Sequence, residues 1–162
     1  MKKYKWYLIL LNLVVLLVYF NFTVYKKEEL LKNGKLVLLE LAPVDPRSLM
    51  QGDYMILRYE ISENFDAEKS PKRGYCIVKI GSDGIARKVR FQKNLTPLKP
   101  EEHAIEYSSS DPWNMNIGAE SFFFQEGQGK KYEQAKYGGL KIDDRGNSLL
   151  FGLYDEKANQ IK

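Results

Sequence analysis

Nineteen consecutive residues without a charge, WYLILLNLVVLLVYFNFTV from Trp6 to Val24, constrain this chain more than any other feature of it. At 1.5 Å per residue a helix over that run is about 28 Å long, close to the roughly 30 Å hydrocarbon core of a bilayer. Aromatic residues crowd both ends, Tyr4, Trp6 and Tyr7 at the first and Tyr19, Phe20, Phe22 and Tyr25 at the second. Rings with a polar edge favour the headgroup region at those depths. Residues 6–24 are therefore expected to cross a lipid bilayer. Asn12, the one strongly polar residue well inside the span, is suited to hydrogen bonding a partner helix, such as one from a multi-spanning membrane protein.

A secretory signal peptide would end in small residues of A-x-A type. This run ends Asn-Phe-Thr-Val-Tyr-Lys-Lys, with nothing small at that spacing, so an uncleaved single-pass anchor over residues 1–25 is expected. Lys2, Lys3 and Lys5 precede the span, and only Lys26 and Lys27 follow it closely. Counting basic residues alone places the N-terminus in the cytoplasm and the remainder outside, periplasmic or at the cell surface.

The sequence pI of about 9.0 invites a nucleic-acid reading. Removing Lys2, Lys3 and Lys5 from the 25 Lys and Arg leaves 22 basic residues against 21 acidic ones in the rest of the chain. A nearly neutral domain with interspersed signs lacks the basic face that a phosphate backbone requires. Nucleic acid is excluded on that ground. With one cysteine, Cys76, and one histidine, His103, there is neither an internal disulfide nor a Cys/His set for zinc. No metal site or cofactor is expected. Cys76 lies in the apolar run Tyr75-Cys76-Ile77-Val78 and reads as a small core residue.

Lys26 to Lys32 continues the helix as a linker over residues 26–35, and Asn33-Gly34 supplies a stop signal. Residues 36–156 then read as a mainly β domain, with 157–162 as a tail. Strands are expected over Leu36–Leu41, Tyr54–Ile61, Tyr75–Ile80, Ile85–Phe91, His103–Tyr107, Glu120–Gln125, Gly138–Asp143 and Ser148–Tyr154. Gly81-Ser82-Asp83-Gly84 and Asp144-Arg145-Gly146-Asn147 read as hairpin turns. Gly129 to Tyr137 suits one short helix. The fold class is an antiparallel barrel or sandwich. Alternation places Leu57, Tyr59 and Ile61 on one face of their strand. In the Ile85–Phe91 strand it sets Ala86, Lys88 and Arg90 against Ile85, Val89 and Phe91. Ser62–Lys72, Asn94–Glu101 and the tail read as the least ordered stretches.

Gly52-Asp53-Tyr54-Met55-Ile56-Leu57-Arg58-Tyr59 spells GDYxxLxY. With the preceding Pro43-Val44-Asp45-Pro46-Arg47-Ser48-Leu49-Met50-Gln51 and the later segment Phe122 to Asp155, it resembles the family named after that motif. The resemblance implies a domain that is membrane-anchored or fused to a multi-spanning membrane protein, and it brings no established activity with it. The motif needs no chemistry: Gly52 permits a tight entry to a strand, Asp53 can bond the turn it sits in, and Tyr54, Leu57 and Tyr59 pack.

A second likeness is to signal-peptidase and LexA-type serine proteases, which the stretch GDYMILRYEIS…KRGYCIVKIGSDGIARKVRF resembles in strand pattern. It implies a Ser–Lys dyad, with Ser48 preceding Gly52-Asp53 as nucleophile and Lys88 as base in the following hairpin. Such a lysine must be desolvated or set beside another cation, and Arg90 on the same face is the candidate. Only three residues separate Ser48 from Gly52, and Leu49 stands where those proteases place Met.

Three further groups carry functional readings. Glu126, Gly127 and Gly129 lie in a loop leading into the short helix, where backbone N–H groups can meet an anion. Trp113, in Ser108-Ser109-Ser110-Asp111-Pro112-Trp113-Asn114, reads as a plug at the end of the core or as a surface recognition residue. Asp45 and Asp53 flank one turn and read as capping groups. The expected function is a membrane-anchored, non-enzymatic binding or assembly module outside the cytoplasm. A tethered Ser48–Lys88 peptidase and an extracytoplasmic ligand-binding domain are the alternatives.

Overall fold

A computed structural model describes residues 2–42, 54–63, 65, 70–111 and 114–162. Helix α1 runs unbroken from Lys2 to Asn33, 32 residues. Within it, Tyr4–Asn33 is long and apolar enough to cross a membrane, and the most apolar stretch has none of its residues buried against the rest of the chain. The linker is thus the same helix as the anchor. Gly34 ends it, its N–H donating to the Leu30 carbonyl at 2.8 Å. A Cβ there would stand 2.4 Å from that oxygen, so only glycine allows the chain to turn so closely into the first strand.

Nine strands follow among the described residues: β1 (Lys35–Glu40), β2 (Tyr54–Ile56), β3 (Arg73–Ile80), β4 (Ala86–Gln92), β5 (Glu102–Asp111), β6 (Asn114–Asn116), β7 (Ser121–Phe123), β8 (Tyr137–Ile142) and β9 (Ser148–Tyr154). They form three antiparallel sheets in the orders β1-β8-β9, β2-β7 and β4-β3-β5-β6. The first and third are joined where the Leu38 N–H donates to the Gly84 carbonyl. No closed barrel forms among the described residues. The inner faces pack as a sandwich around Val37, Leu39, Tyr59, Cys76, Val78, Ile105, Met115, Leu140 and Leu153. Each such side chain contributes about 1.5–3 kcal/mol by leaving water.

Several elements depart from expectation. Tyr54–Ile61 is not one strand: β2 stops at Ile56 and a 3-10 turn spans Glu60–Ser62. Leu57, Tyr59 and Ile61 are all buried, as their alternation requires. The short helix α2 covers only Gly129–Tyr132, because the Lys136 N–H is taken by the Tyr154 carbonyl and β8 begins at Tyr137. β5 extends past the expected His103–Tyr107 through Ser108-Ser109-Ser110, where Arg73 pairs with Ser108 and the Ser109 N–H donates to the Lys72 carbonyl.

Residues 94–99, read as poorly ordered, are pinned from β4 and, through the Lys99 N–H donated to the Glu102 carboxylate, from β5. Gln92 Nε2 donates to the carbonyls of Asn94 and Leu95, and Arg90 to that of Pro97. The chain end also turns back, with Gln160 bridging Tyr154 and the Ile161 N–H bonded to the Leu153 carbonyl.

Candidate functional site

The motif residues divide by face. Tyr59 is 1% exposed; its hydroxyl donates to the Ala119 carbonyl at 2.6 Å. Its ring lies where a Cβ on Gly138 would come within 2.8 Å of Cε1, so Gly138 makes room for it. Burial, with the Glu120 carboxylate nearby, raises the Tyr59 phenol well above its ordinary pKa. Leu57 is buried, and Met55 beside it points inward. Tyr54 faces out. Gly52 and Asp53 lie outside the described residues.

On β2-β7, Tyr54 pairs with Phe123 and Ile56 with Ser121. The rings of Tyr54 and Phe123 are 5.8 Å apart. Exposures of 37% for Tyr54, 49% for Ile56 and 73% for Phe123 make an apolar ribbon on the outer face of this small sheet. Phe123 was not singled out from the sequence, yet a signal existed. Consecutive strand residues alternate faces, so Phe122, Phe123 and Phe124 cannot all point inward. Phe122 and Phe124 do, packing on buried Tyr132 of α2 with centroids 4.9 and 5.5 Å away.

Lys88 and Arg90 do not share one strand face. The β3–β4 register shifts between Ile77 and Val78, so Val78 pairs with Lys88 but Ile77 with Arg90. Adjacent residues of β3 face opposite ways, and their partners follow. Lys88 therefore shares the Phe91 side of β4, solvent-exposed with its Nζ 5.2 Å from that ring's centroid, whereas Arg90 lies on the other side. The two residues assigned to one face are on opposite faces, and Val89 is left exposed at the bulge. Lys88 Nζ donates to the carbonyls of Ile61 and Glu63, both at 3.1 Å, closing the 3-10 turn. Arg90 makes a two-pronged ion pair with Glu102, at 2.7 and 2.9 Å. That hydrogen bonding, with help from the Lys99 N–H, holds the Glu102 carboxyl down at about 2. Ser48 lies outside the described residues.

Cys76 is fully buried, and burial pushes its thiol up to about 12, offset in part by the Lys88 charge. Such a thiol is a packing group. Tyr107, also raised to about 12 by burial, donates to the Pro71 carbonyl. The loop at Glu126 and Gly127 is an exposed turn closed by its own backbone, Gln128 N–H to Gln125 carbonyl, with Gly127 at φ +82°. It leads through half-buried Gly129 into the single turn α2. Trp113 lies outside the described residues. No group of three His, Cys, Asp or Glu among the described residues is placed to hold a metal ion.

The sequence profile of the GDYXXLXY proteins matches residues 16–153. The chain belongs to the GDYXXLXY family. The match takes in the second half of the apolar segment together with most of the β domain. No curated protein and no solved structure matches the chain, and the protease likeness finds no support there. In this GDYXXLXY protein the motif buries its leucine and last tyrosine and presents its first tyrosine beside Phe123.

Proposed function

We propose that this GDYXXLXY protein is a membrane-tethered, non-enzymatic interaction module. Helix α1 is the tether, its N-terminus in the cytoplasm and the sandwich outside. The Tyr54–Ile56–Phe123 ribbon receives an apolar segment of another membrane protein of the envelope.

The ribbon carries this reading. Isolated apolar residues on a surface are ordinary, whereas three side by side on a rigid two-stranded sheet form a patch of the kind partners cover. Its support is firm, since Met55 and Phe122 beneath it pack into the core. The engagement of Lys88 Nζ by two carbonyls favours the non-enzymatic reading over the peptidase. The three lysines before the span, against two just after it, support the orientation.

The test is a photo-crosslinking amino acid at Phe123 in the full chain in native membranes. A discrete adduct with a membrane protein, lost when Tyr54 and Ile56 are changed to Ser and absent with the probe at exposed Lys157, is the expected result. No adduct, or a smear indifferent to those changes, sinks the proposal.

A further inference from the structure

The β8–β9 turn lies alongside α1 where the helix leaves its apolar segment, and together they enclose a cleft of about 620 Å³. Thr23, at the end of the uncharged run, lines it, so the cleft opens at the boundary between hydrocarbon and headgroups. Both walls are fixed. Lys141 Nζ donates to the Gly34 carbonyl at 2.9 Å, tying β8 to the end of the helix. The turn itself is held to β5 by the Glu106 N–H on the Gly146 carbonyl.

Four cations line the cleft: Lys26, Lys27, Lys35 and Arg145. None makes an ion pair among the described residues. Lys26 Nζ lies over the Phe22 ring, and Lys35 Nζ stands 3.0 Å from His103 Nε2. Three carboxylates, Glu29, Asp143 and Asp144, share the lining. Asp143 is already engaged by the N–H groups of Arg145 and Asn147 and by the Asn147 side chain. Four positive charges against three negative leave one unmatched, the charge of a single phosphodiester.

We propose that this cleft is a headgroup site for an anionic glycerophospholipid bearing one phosphodiester charge and hydroxyls, of the phosphatidylglycerol type. Lys27 and Arg145, from opposite walls, take the phosphate oxygens. Lys26 and Lys35 add to the field, and Glu29 and Asp144 accept from headgroup hydroxyls. The acyl chains lie along the exposed apolar surface of α1, which is continuous with the cleft mouth. Basic pockets at the membrane boundary hold lipid headgroups in this way. The inference rests on α1 being a membrane tether.

The test uses the full chain reconstituted into nanodiscs of equal parts phosphatidylglycerol and phosphatidylcholine, with retained lipid read by native mass spectrometry. The wild type is expected to retain phosphatidylglycerol preferentially. Lys27→Gln with Arg145→Gln should weaken that preference by about thirtyfold, as expected for two charges near a bilayer surface. The charge-preserving pair Lys27→Arg and Arg145→Lys should keep it. Unchanged protection of buried Cys76 from thiol reagent shows that each variant is folded. Equal retention of the two lipids, or a preference indifferent to the double substitution, overturns the proposal. So does displacement of the lipid by glycerol phosphate or inorganic phosphate at millimolar concentration, which would make the cleft a soluble-phosphate site. A chain that never enters nanodiscs would instead contradict the tether.

Discussion

The hydroxyl of Tyr59 and the carbonyl of Ala119 meet at 2.6 Å inside the sandwich, 60 residues apart in the chain. This bond fastens the end of the family motif to the segment just before β7. Tyr59→Phe keeps the ring over Gly138 and removes only the donor, leaving a buried carbonyl without it. Destabilisation by about 1–3 kcal/mol is expected. Urea unfolding of the full chain in detergent micelles, followed by tyrosine and tryptophan fluorescence, checks it.

Two glycines test packing against backbone strain. A Cβ on Gly139 would lie 2.2 Å from Tyr154 Cε2, so Gly139→Ala displaces a ring and is expected to cost about 1–3 kcal/mol. Gly84 has open space around it but φ +77°, so Gly84→Ala should cost about 1 kcal/mol through backbone strain alone. The same unfolding measurement separates them. Adding Tyr154→Leu should recover much of the loss in the first and nothing in the second.

Acid should loosen the β4–β5 side of the domain. The Glu102 carboxyl is held at about 2 in the folded chain, below its ordinary 4.5. A depressed carboxylate stabilises above its unfolded value, and that contribution is lost as pH falls from about 4.5 to 2. Glu102→Gln is therefore predicted to flatten the dependence of stability on pH across that window while lowering stability at neutral pH. Arg90→Gln should do the same and should speed hydrogen exchange over residues 94–99, whose carbonyls Arg90 and Gln92 hold.

Lys88→Met tests the role assigned to the amine. Its methylene stem is replaced in kind, and the carbonyls of Ile61 and Glu63 return to water or to weaker partners. A loss of about 1 kcal/mol is expected. A membrane-associated peptidase activity abolished by Lys88→Met and by Ser48→Ala alike would show that the non-enzymatic assignment is wrong.

The long apolar helix was legible because a bilayer-length run of uncharged residues, Trp6–Val24, has no other regular way to satisfy its backbone. β1, β3, β8 and β9 were legible within a residue or two, as were the turns closed by Gly84 and Gly146. The β4 faces were not. A bulge inserts one residue into one strand, and nothing local in Ala86-Arg87-Lys88-Val89-Arg90-Phe91 announces where alternation slips. The extension of β5 through three serines was hidden because ladder bonds belong to the backbone and need no strand-forming side chain. Residues 94–99 read as loose because what fixes them, the side chains of Arg90, Gln92 and Glu102, lies on neighbouring strands. Of the candidate site, the motif was visible, but its division into buried Leu57 and Tyr59 and exposed Tyr54 depended on where β7 would pair.

The central claim is that α1 stays in the bilayer and holds the sandwich outside the cytoplasm. Cys76 is buried with its thiol raised, so a cysteine placed at exposed Lys157 is the one reactive thiol in the chain. Spheroplasts carrying full-length Lys157→Cys are treated with a membrane-impermeant maleimide, and their membranes are then washed in alkaline carbonate. A labelled, full-length protein that remains in the membranes is predicted. Labelling that requires permeabilised cells, or label recovered in the soluble wash on a chain beginning beyond Tyr25, would contradict it.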